Sequence, residues 1–266
     1  MTAKKPLLVV IKGAGDLASG VAYRLFKSGF TIITTEIAHP LVVRRTVSFA
    51  EAVYAGTVAV EGITAALADS REQALDMAEH GIIPVLIDPE ARIIKEVHPE
   101  IVVDAIMAKE NRFTRIDDAP LVIGLGPGFV AGVAGDAVIE TKRGHSLGRV
   151  IYDGSAIPNT GVPGEVMGYA KERLLKAPVD GVVKSCCTIG DQVNQGDVVA
   201  YVDDTPIKAE MNGVVRGMLK DGIWVPYRTK LGDIDPRRET DCHTISDKAL
   251  AIGGGVLEAV CSYLHR

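Results

Sequence analysis

The sequence predicts an α/β protein whose first half is a parallel sheet with helices, followed by a small all-β module and a C-terminal helix. Three observations carry this. Short apolar runs alternate with helix-like segments from Leu7 to Glu140. An internal repeat of strand-and-turn sequence fills much of the second half. The stretch Ala249 to Leu264 then has helical composition. Strands alternating with helices imply right-handed crossovers and helices on both sheet faces.

Each element has a local reason. Leu7 to Lys12 is a continuous apolar run, as in a buried parallel strand. Leu17, Val21, Leu25 and Phe26 recur at helical spacing, and Gly29 stops that helix. Thr31 to Thr35 is mostly β-branched and reads as a strand. Leu41 to Ala55 reads as a helix ended by Gly56, and Thr57 to Val60 as a strand. Ser70 N-caps a helix that reaches Glu79, closed by Gly81. Ile82 to Ile87 is a strand ended by Asp88-Pro89. Glu90 to Val97 is a short helix, and Ile101 to Ile106, Pro120 to Ile123 and Ala137 to Glu140 are further strands.

Ligands of such sheets sit beyond the carboxyl ends of the strands. The polar residues just after the strands therefore mark one rim: Gly13, Gly15 and Asp16; Glu36; Asp88; Asp104 with Lys109 and Asn111; and the loop Gly124 to Gly128. Gly13-x-Gly15-x-x-Ala18 follows a strand and opens a helix, the context that gives a Rossmann-like glycine loop its meaning. Gly13 allows the tight turn, Gly15 the approach of a pyrophosphate, and Ala18 close helix–strand contact. Glu36 lies about 20 residues on, where an acid binds ribose hydroxyls. Asp16 at the mouth of the helix opposes a phosphate; it caps the helix, binds a hydroxyl, or coordinates a metal. The alternative is a loop kept for packing alone.

In the second loop, Gly126 and Gly128 flank Pro127, which stiffens the turn. Arg143 and Arg149 are candidate bidentate clamps for phosphate or carboxylate, and His145 is a candidate acid–base group or ligand. A solvated connector is the plainer account of the same run. Asn159-Thr160-Gly161-Val162-Pro163-Gly164 is a turn-rich stretch that follows.

Lys176-Ala-Pro-Val-Asp-Gly-Val-Val-Lys184 and Lys208-Ala-Glu-Met-Asn-Gly-Val-Val-Arg216 are two copies of one pattern, offset by 32 residues (208 − 176). Their Asp-Gly and Asn-Gly pairs are tight-turn signals. The pattern, with Ile189-Gly-Asp-Gln-Val-Asn-Gln-Gly-Asp-Val-Val199, resembles the biotinyl/lipoyl-type barrel-sandwich hybrid over about residues 174–235. Carrier versions hold a modified lysine in the hairpin between the halves. Here that hairpin is Val202-Asp-Asp-Thr-Pro206 and holds none, so a swinging arm is not expected. Residues 1–150 are thus expected as a nucleotide-binding domain. Residues 151–266 are expected as the module with its helix.

Composition limits the function. Hydrophobic residues make up 47% of the 266, enough for a core, and the net charge of −5 argues against a general nucleic-acid binder. No run reaches the roughly 18 apolar residues of a membrane span. Met1 to Pro6 leads into a strand without a signal-peptide pattern, so a cytoplasmic location is expected. Of the cysteines, 186, 187, 242 and 261, the adjacent Cys186 and Cys187 would face opposite ways in a strand, which disfavours a shared metal site. They read as reduced thiols. Asp233, Asp235, Arg237, Asp247 and Lys248 stand beside tight turns and read as salt-bridged loop anchors. Gly253-Gly254-Gly255 implies close backbone packing or ligand approach.

Six segments, KGAGDLASGVAYRL, GLGPGF, DAVIETKRGHSLGRVI, NTGVPGE, KLGDIDPR and ISDKALAIGGGVLEA, together resemble the YqeB family, described as accessory proteins of selenium-dependent molybdenum hydroxylases. The resemblance implies a role in maturing such an enzyme, a client molybdenum hydroxylase as partner, and handling of the molybdenum cofactor or selenium. It supplies no catalytic residues. Three functions follow. The first is a maturation factor binding a nucleotide-bearing ligand, such as a pterin dinucleotide. The second is an NAD(P)-dependent oxidoreductase, with Glu36 favouring NAD. The third is a non-catalytic assembly scaffold. Self-association stays open.

Overall fold

The computed structural model describes residues 7–108, 110–159, 161 and 164–265. Met1 to Pro6, Lys109, Thr160, Val162, Pro163 and Arg266 lie outside the described residues. The chain is a mixed α/β protein with two compact units. Unit 1 comprises residues 1–40, 48–159 and 245–266; unit 2 comprises 41–47 and 160–244. This division differs from the expected boundary near residue 150. The C-terminal helix belongs to the sheet unit, and a short early segment belongs to the β unit.

Unit 1 opens with β1 (Leu8–Lys12), α1 (Asp16–Lys27) and β2 (Thr31–Glu36). Residues 41–55 do not form the single helix expected. Two short 3-10 turns, Arg45–Val47 and Phe49–Glu51, precede a one-turn α2 (Ala52–Ala55), and Gly56 ends it at φ 75. The break has a local cause: Ser48 sits in the extended region at φ −129 and ψ 124. The chain then forms β3 (Thr57–Val60) and β4 (Ile63–Ala68), joined through Glu61 and Gly62, both at positive φ. Next come α3 (Arg71–Glu79), with Ser70 accepting from Gln73 N at 3.2 Å, then β5 (Ile83–Ile87), α4 (Ile93–Val97) and β6 (Ile101–Asp104). The strands β7 (Leu121–Leu125), β8 (Ala137–Ile139) and β9 (Val150–Ile151) complete the sheet.

The nine strands lie in the order β3-β4-β5-β2-β1-β6-β7-β8-β9. From β4 through β8 every neighbour is parallel; β3 and β9 are antiparallel edges. The winding direction reverses between β1 and β6, which is where crevices of such sheets open. Val10, Ile33, Leu86, Val102 and Val122 pack with Ala74 of α3 and with Ile93 and Ile94 of α4. The period of two sends Val9 and Ile11 to the opposite face.

Unit 2 carries eight strands: β10 (Leu174–Lys176), β11 (Gly181–Ser185), β12 (Gln192–Val193), β13 (Val198–Val202), β14 (Thr205–Lys208), β15 (Gly213–Met218), β16 (Trp224–Val225) and β17 (Lys230–Asp235). They form two four-stranded antiparallel sheets, β10-β17-β15-β12 and β14-β13-β11-β16. A shift of 32 residues carries β10 onto β14, β11 onto β15, β12 onto β16 and β13 onto β17, so one sheet order maps onto the other.

The last element, α5 (Asp247–Leu264), returns to unit 1 and lies on α1. Ser246 caps it by accepting from Ala249 N at 3.2 Å. Its glycines differ in role. A Cβ on Gly253 would meet the Gly20 carbonyl oxygen at 2.6 Å, and one on Gly255 the Gly148 oxygen at 2.1 Å. A Cβ on Gly254 would meet nothing within 4 Å. Close backbone packing therefore explains two of the three. Gly255→Ala is expected to lower stability by about 1–3 kcal/mol through overpacking. Gly254→Ala should raise it by up to about 1 kcal/mol through helix propensity. Chemical denaturation of the two variants side by side measures the contrast.

Candidate functional site

The rim begins at the loop between β1 and α1. Gly13 adopts φ 92, which the tight turn requires, and its N–H donates to Thr35 O at 2.9 Å. Gly15 is the N-cap of α1 and, having no side chain, leaves the first turn without a side-chain acceptor. An uncapped helix start offers amide donors and a positive partial charge to an anion. Asp16 is the acid of that first turn.

Glu36, at the end of β2, turns back onto the loop. Its Oε2 accepts from Ala14 N at 3.0 Å and its Oε1 from Ile37 N at 2.9 Å. Burial raises its pKa, opposed by those two backbone bonds. The spacing to an acid is as the sequence implied, but in this state the acid holds the glycine loop itself. On the other side of the loop, Ala14 O accepts from Ala50 N at 2.8 Å and from Ser19 Oγ at 3.2 Å. Ser19 Oγ in turn accepts from Phe49 N at 2.8 Å.

At the reversal point, Lys12 and Asp104 are register partners on β1 and β6. Both are buried, Lys12 to 1% exposure, and their charged atoms are 3.5 Å apart. Thr114 joins them, accepting from Lys12 Nζ and donating to Asp104. Asn111 fixes Thr114 by accepting from its N–H at 2.9 Å and donating to its carbonyl at 2.7 Å. Asp88 accepts from Ile93 N, the first residue of α4, at 2.9 Å.

The second glycine loop is tied to the protein's own atoms. A Cβ on Gly126 would lie 2.5 Å from Thr141 Oγ1, and one on Gly128 2.7 Å from Glu110 Cα. Both have positive φ, 74 and 109. These glycines answer to packing and backbone conformation. In the polar stretch after β8, Glu140 is buried and accepts from Lys142 N at 2.7 Å and Ile157 N at 2.8 Å, anchoring the loop. Arg143 makes a bidentate pair with Asp247, at 2.7 and 3.0 Å, so its fork already holds a carboxylate. His145 and Arg149 are at least partly exposed.

Lys248 is the residue that sequence reasoning placed elsewhere, among loop anchors. It is half-buried at the start of α5, and its ammonium is pushed below the usual lysine range by burial and by Arg143. Asp16, Glu140 and Asp247 pull the other way. The acid at the mouth of α1 thus has a nearby cation. The signal available in the sequence was Ser246-Asp247-Lys248 as a helix start facing a second helix start.

Cys186 and Cys187 lie in unit 2, just past β11, in a bend. The strand in which they would face opposite ways ends at Ser185, and both line one cavity of about 300 Å³, with Arg45, Asp191 and Lys220. Burial first, and then Asp191, pushes the Cys187 thiol up, so it is not activated as a thiolate. Among the described residues, no group of three or more His, Cys, Asp or Glu is placed to hold a metal ion. No helix among them is long and apolar enough to cross a membrane.

Lys248 has a testable signature. Its folded pKa is depressed, so it loses its proton at lower pH than an ordinary exposed lysine does. Residue-resolved acetylation against pH is expected to show an earlier rise at Lys248. The charged form is the disfavoured one, so its penalty grows as pH falls through the lysine range. Lys248→Met should therefore melt no lower than the parent at neutral pH. The buried pair behaves oppositely. Lys12→Met leaves Asp104 without its cation and is expected to cost about 3–5 kcal/mol in urea unfolding.

No family model matches this chain. It is 53% identical over 260 residues to the uncharacterized protein YqeB of Escherichia coli K12, a match that covers 97% of this chain and 48% of that protein. The chain thus spans about half the length of the curated relative it matches. Among solved structures it is similar to an aspartoacylase family protein from Mesorhizobium loti, with 14% identity and a TM-score of 0.30, covering 88% of this chain and 86% of that one. A succinylglutamate desuccinylase/aspartoacylase from Rhodobacter sphaeroides gives 12% identity and a TM-score of 0.29, covering 88% and 87%. At those TM-scores the likeness says nothing about activity.

Proposed function

We propose that this chain is a YqeB-type accessory protein for maturation of a selenium-dependent molybdenum hydroxylase, and that unit 1 binds a nucleotide-bearing ligand such as a pterin dinucleotide. The six resembling segments and the identity to YqeB support the first part. The observation that carries the second is the uncapped start of α1 beside the β1/β6 reversal, with a half-buried lysine nearby. The ligand's phosphate lies against the amides of Gly15 and the first turn of α1. Lys248, whose charge is poorly solvated when nothing is bound, regains a counter-charge from it. Glu36 exchanges its bond to Ala14 for a ribose hydroxyl. Unit 2 is read as a barrel-sandwich hybrid whose hairpin carries Asp203 and Asp204 in place of a carrier lysine.

A second reading, an NAD-dependent oxidoreductase, draws on the same Glu36, because an acid there opposes a 2′-phosphate. A non-catalytic scaffold is the third. Thermal shift with NAD, NADP, ATP, CTP and a pterin dinucleotide separates them. The pterin dinucleotide is expected to raise Tm, with Gly15→Asp abolishing the rise and Lys248→Met weakening binding at least tenfold. A shift confined to NAD, with turnover of a substrate, would transfer the assignment to the oxidoreductase. No shift with any of the five, alongside co-purification with a molybdenum hydroxylase, would leave only the scaffold.

A further inference from the structure

Unit 2 places two neighbouring thiols on the wall of one cavity. Cys186 and Cys187 follow β11 and line about 300 Å³ of space together with Ser185, Arg45, Asp191 and Lys220. The internal repeat shows that core packing does not require them. The offset of 32 residues carries Cys186 onto Met218 and Cys187 onto Leu219, core residues at 1% and 0% exposure. In the first copy the same two positions open to solvent. Cys186 is exposed, Cys187 is half-buried, and both are free thiols.

The polar groups around the sulfurs leave a cation and a hydroxyl to spare. Asp191 Oδ2 accepts from Thr188 N at 2.8 Å, and Asp221 Oδ1 accepts from Ser185 N at 2.8 Å, so both acids of the cavity are engaged by backbone amides. The half-buried Lys220 makes no hydrogen bond or ion pair through its ammonium among the described residues. Ser185 Oγ is buried and has no hydrogen-bond partner among them, a condition that costs free energy until a ligand relieves it. Arg45 completes the wall, with its Nε donating to Met218 O at 2.9 Å. Cys186 is the sulfur that a solute reaches first. Burial raises the pKa of the Cys187 thiol, which stays protonated behind it.

We propose that Cys186 and Cys187 form a thiol–disulfide exchange site for a small disulfide that bears carboxylates, with Lys220 holding a carboxylate beside the sulfurs. In the first step Cys186 Sγ attacks one sulfur of the ligand. A mixed disulfide forms on Cys186, the ligand's S–S bond breaks, and the departing thiolate takes up the Cys186 proton. In the second step Cys187 Sγ attacks Cys186 Sγ. The bond between Cys186 and Cys187 forms, the mixed disulfide breaks, and the second departing thiolate takes up the Cys187 proton. The protein dithiol is oxidised and the small disulfide is reduced to its two thiols, with no other reactant consumed. The peptide bond between the two cysteines is trans, which sets their Cα atoms about 3.8 Å apart. Disulfides usually span roughly 4.4–6.8 Å, so this one is strained and readily reduced again. Nothing in this site draws on the ligand proposed for unit 1.

The test is mass spectrometry of the reduced full chain treated with glutathione disulfide, which carries carboxylates, or with cystamine, which carries only amines. Cys261, the exposed thiol on α5, serves as the reference for each reagent. Glutathione disulfide is expected to convert Cys186 and Cys187 to their internal disulfide, seen as the loss of two hydrogens. Relative to Cys261, it should act about fivefold faster than cystamine, as expected for one screened charge contact. Cys187→Ser should stop at the mixed disulfide on Cys186, and Cys186→Ser should give no product at this site. Lys220→Met should remove the preference for glutathione disulfide while leaving the cystamine reaction unchanged. A mixed disulfide that persists on Cys186 in the parent chain overturns the proposal. So does a preference that survives in Lys220→Met, or reaction at Cys186 no faster than at Cys261 with glutathione disulfide. Where Lys220→Met does not fold, equal relative rates for the two reagents in the parent overturn the proposal in its place.

Discussion

The backbone contact between α1 and α5 is the constraint on which the arrangement of unit 1 depends. A Cβ on Gly20 would meet Ala249 at 2.7 Å, and a Cβ on Gly253 would meet Arg24 Cγ at 2.9 Å as well as the Gly20 carbonyl. Gly20 and Arg24 are four residues apart, as are Ala249 and Gly253, so the helices run in the same direction with their starts together. Two helix N-termini side by side concentrate positive partial charge. Asp16 and Asp247, one in each first turn, are the fixed answer to it. The same closeness brings Lys248 under the influence of Asp16. Without two missing side chains this electrostatic arrangement would come apart.

The glycine loop stands in a self-satisfied state. Its inner amide is held by Glu36, and its carbonyl by Ala50 and Ser19. What stays available is the start of α1, where no side chain caps the helix. The helices α3 and α5 differ, each capped by a serine. The contrast is local and chemical: Ser70 and Ser246 supply an oxygen, and Gly15 does not. Glu36 meanwhile ties the end of β2 to the glycine loop, with one carboxylate oxygen on Ala14 N and the other on Ile37 N.

Much of this was legible because it is periodic or local. The strands of unit 1 follow from apolar runs, the serine caps from their spacing, and the repeat from an offset of 32 that every strand of unit 2 obeys. What was not legible depends on partners distant in sequence. Residues 41–55 are apolar enough to look helical, yet Val43 bonds to Met218 and Ser48 is extended. The strand β4 reads Ile-Thr-Ala-Ala-Leu-Ala, whose alanines carry no strand signal. Lys12 looks like the polar end of a strand until its register with Asp104 is known. Arg143 looked like a free clamp, but Asp247 stands 104 residues further along. Gly126 and Gly128 looked open to a ligand, and are instead close to Thr141 and Glu110.

The route of the chain has a consequence for how the molecule is made. Unit 1 starts with β1 but receives α5 only after all the strands of unit 2 have been threaded. Ala249, Ile252, Val256, Ala259 and Val260 of α5 are buried there. During synthesis, therefore, the early sheet must wait with one flank uncovered while residues 160–244 are still to emerge from the ribosome. Lys248 arrives with that last helix. The rim of unit 1 acquires its half-buried cation only once residues 160–244 have been translated.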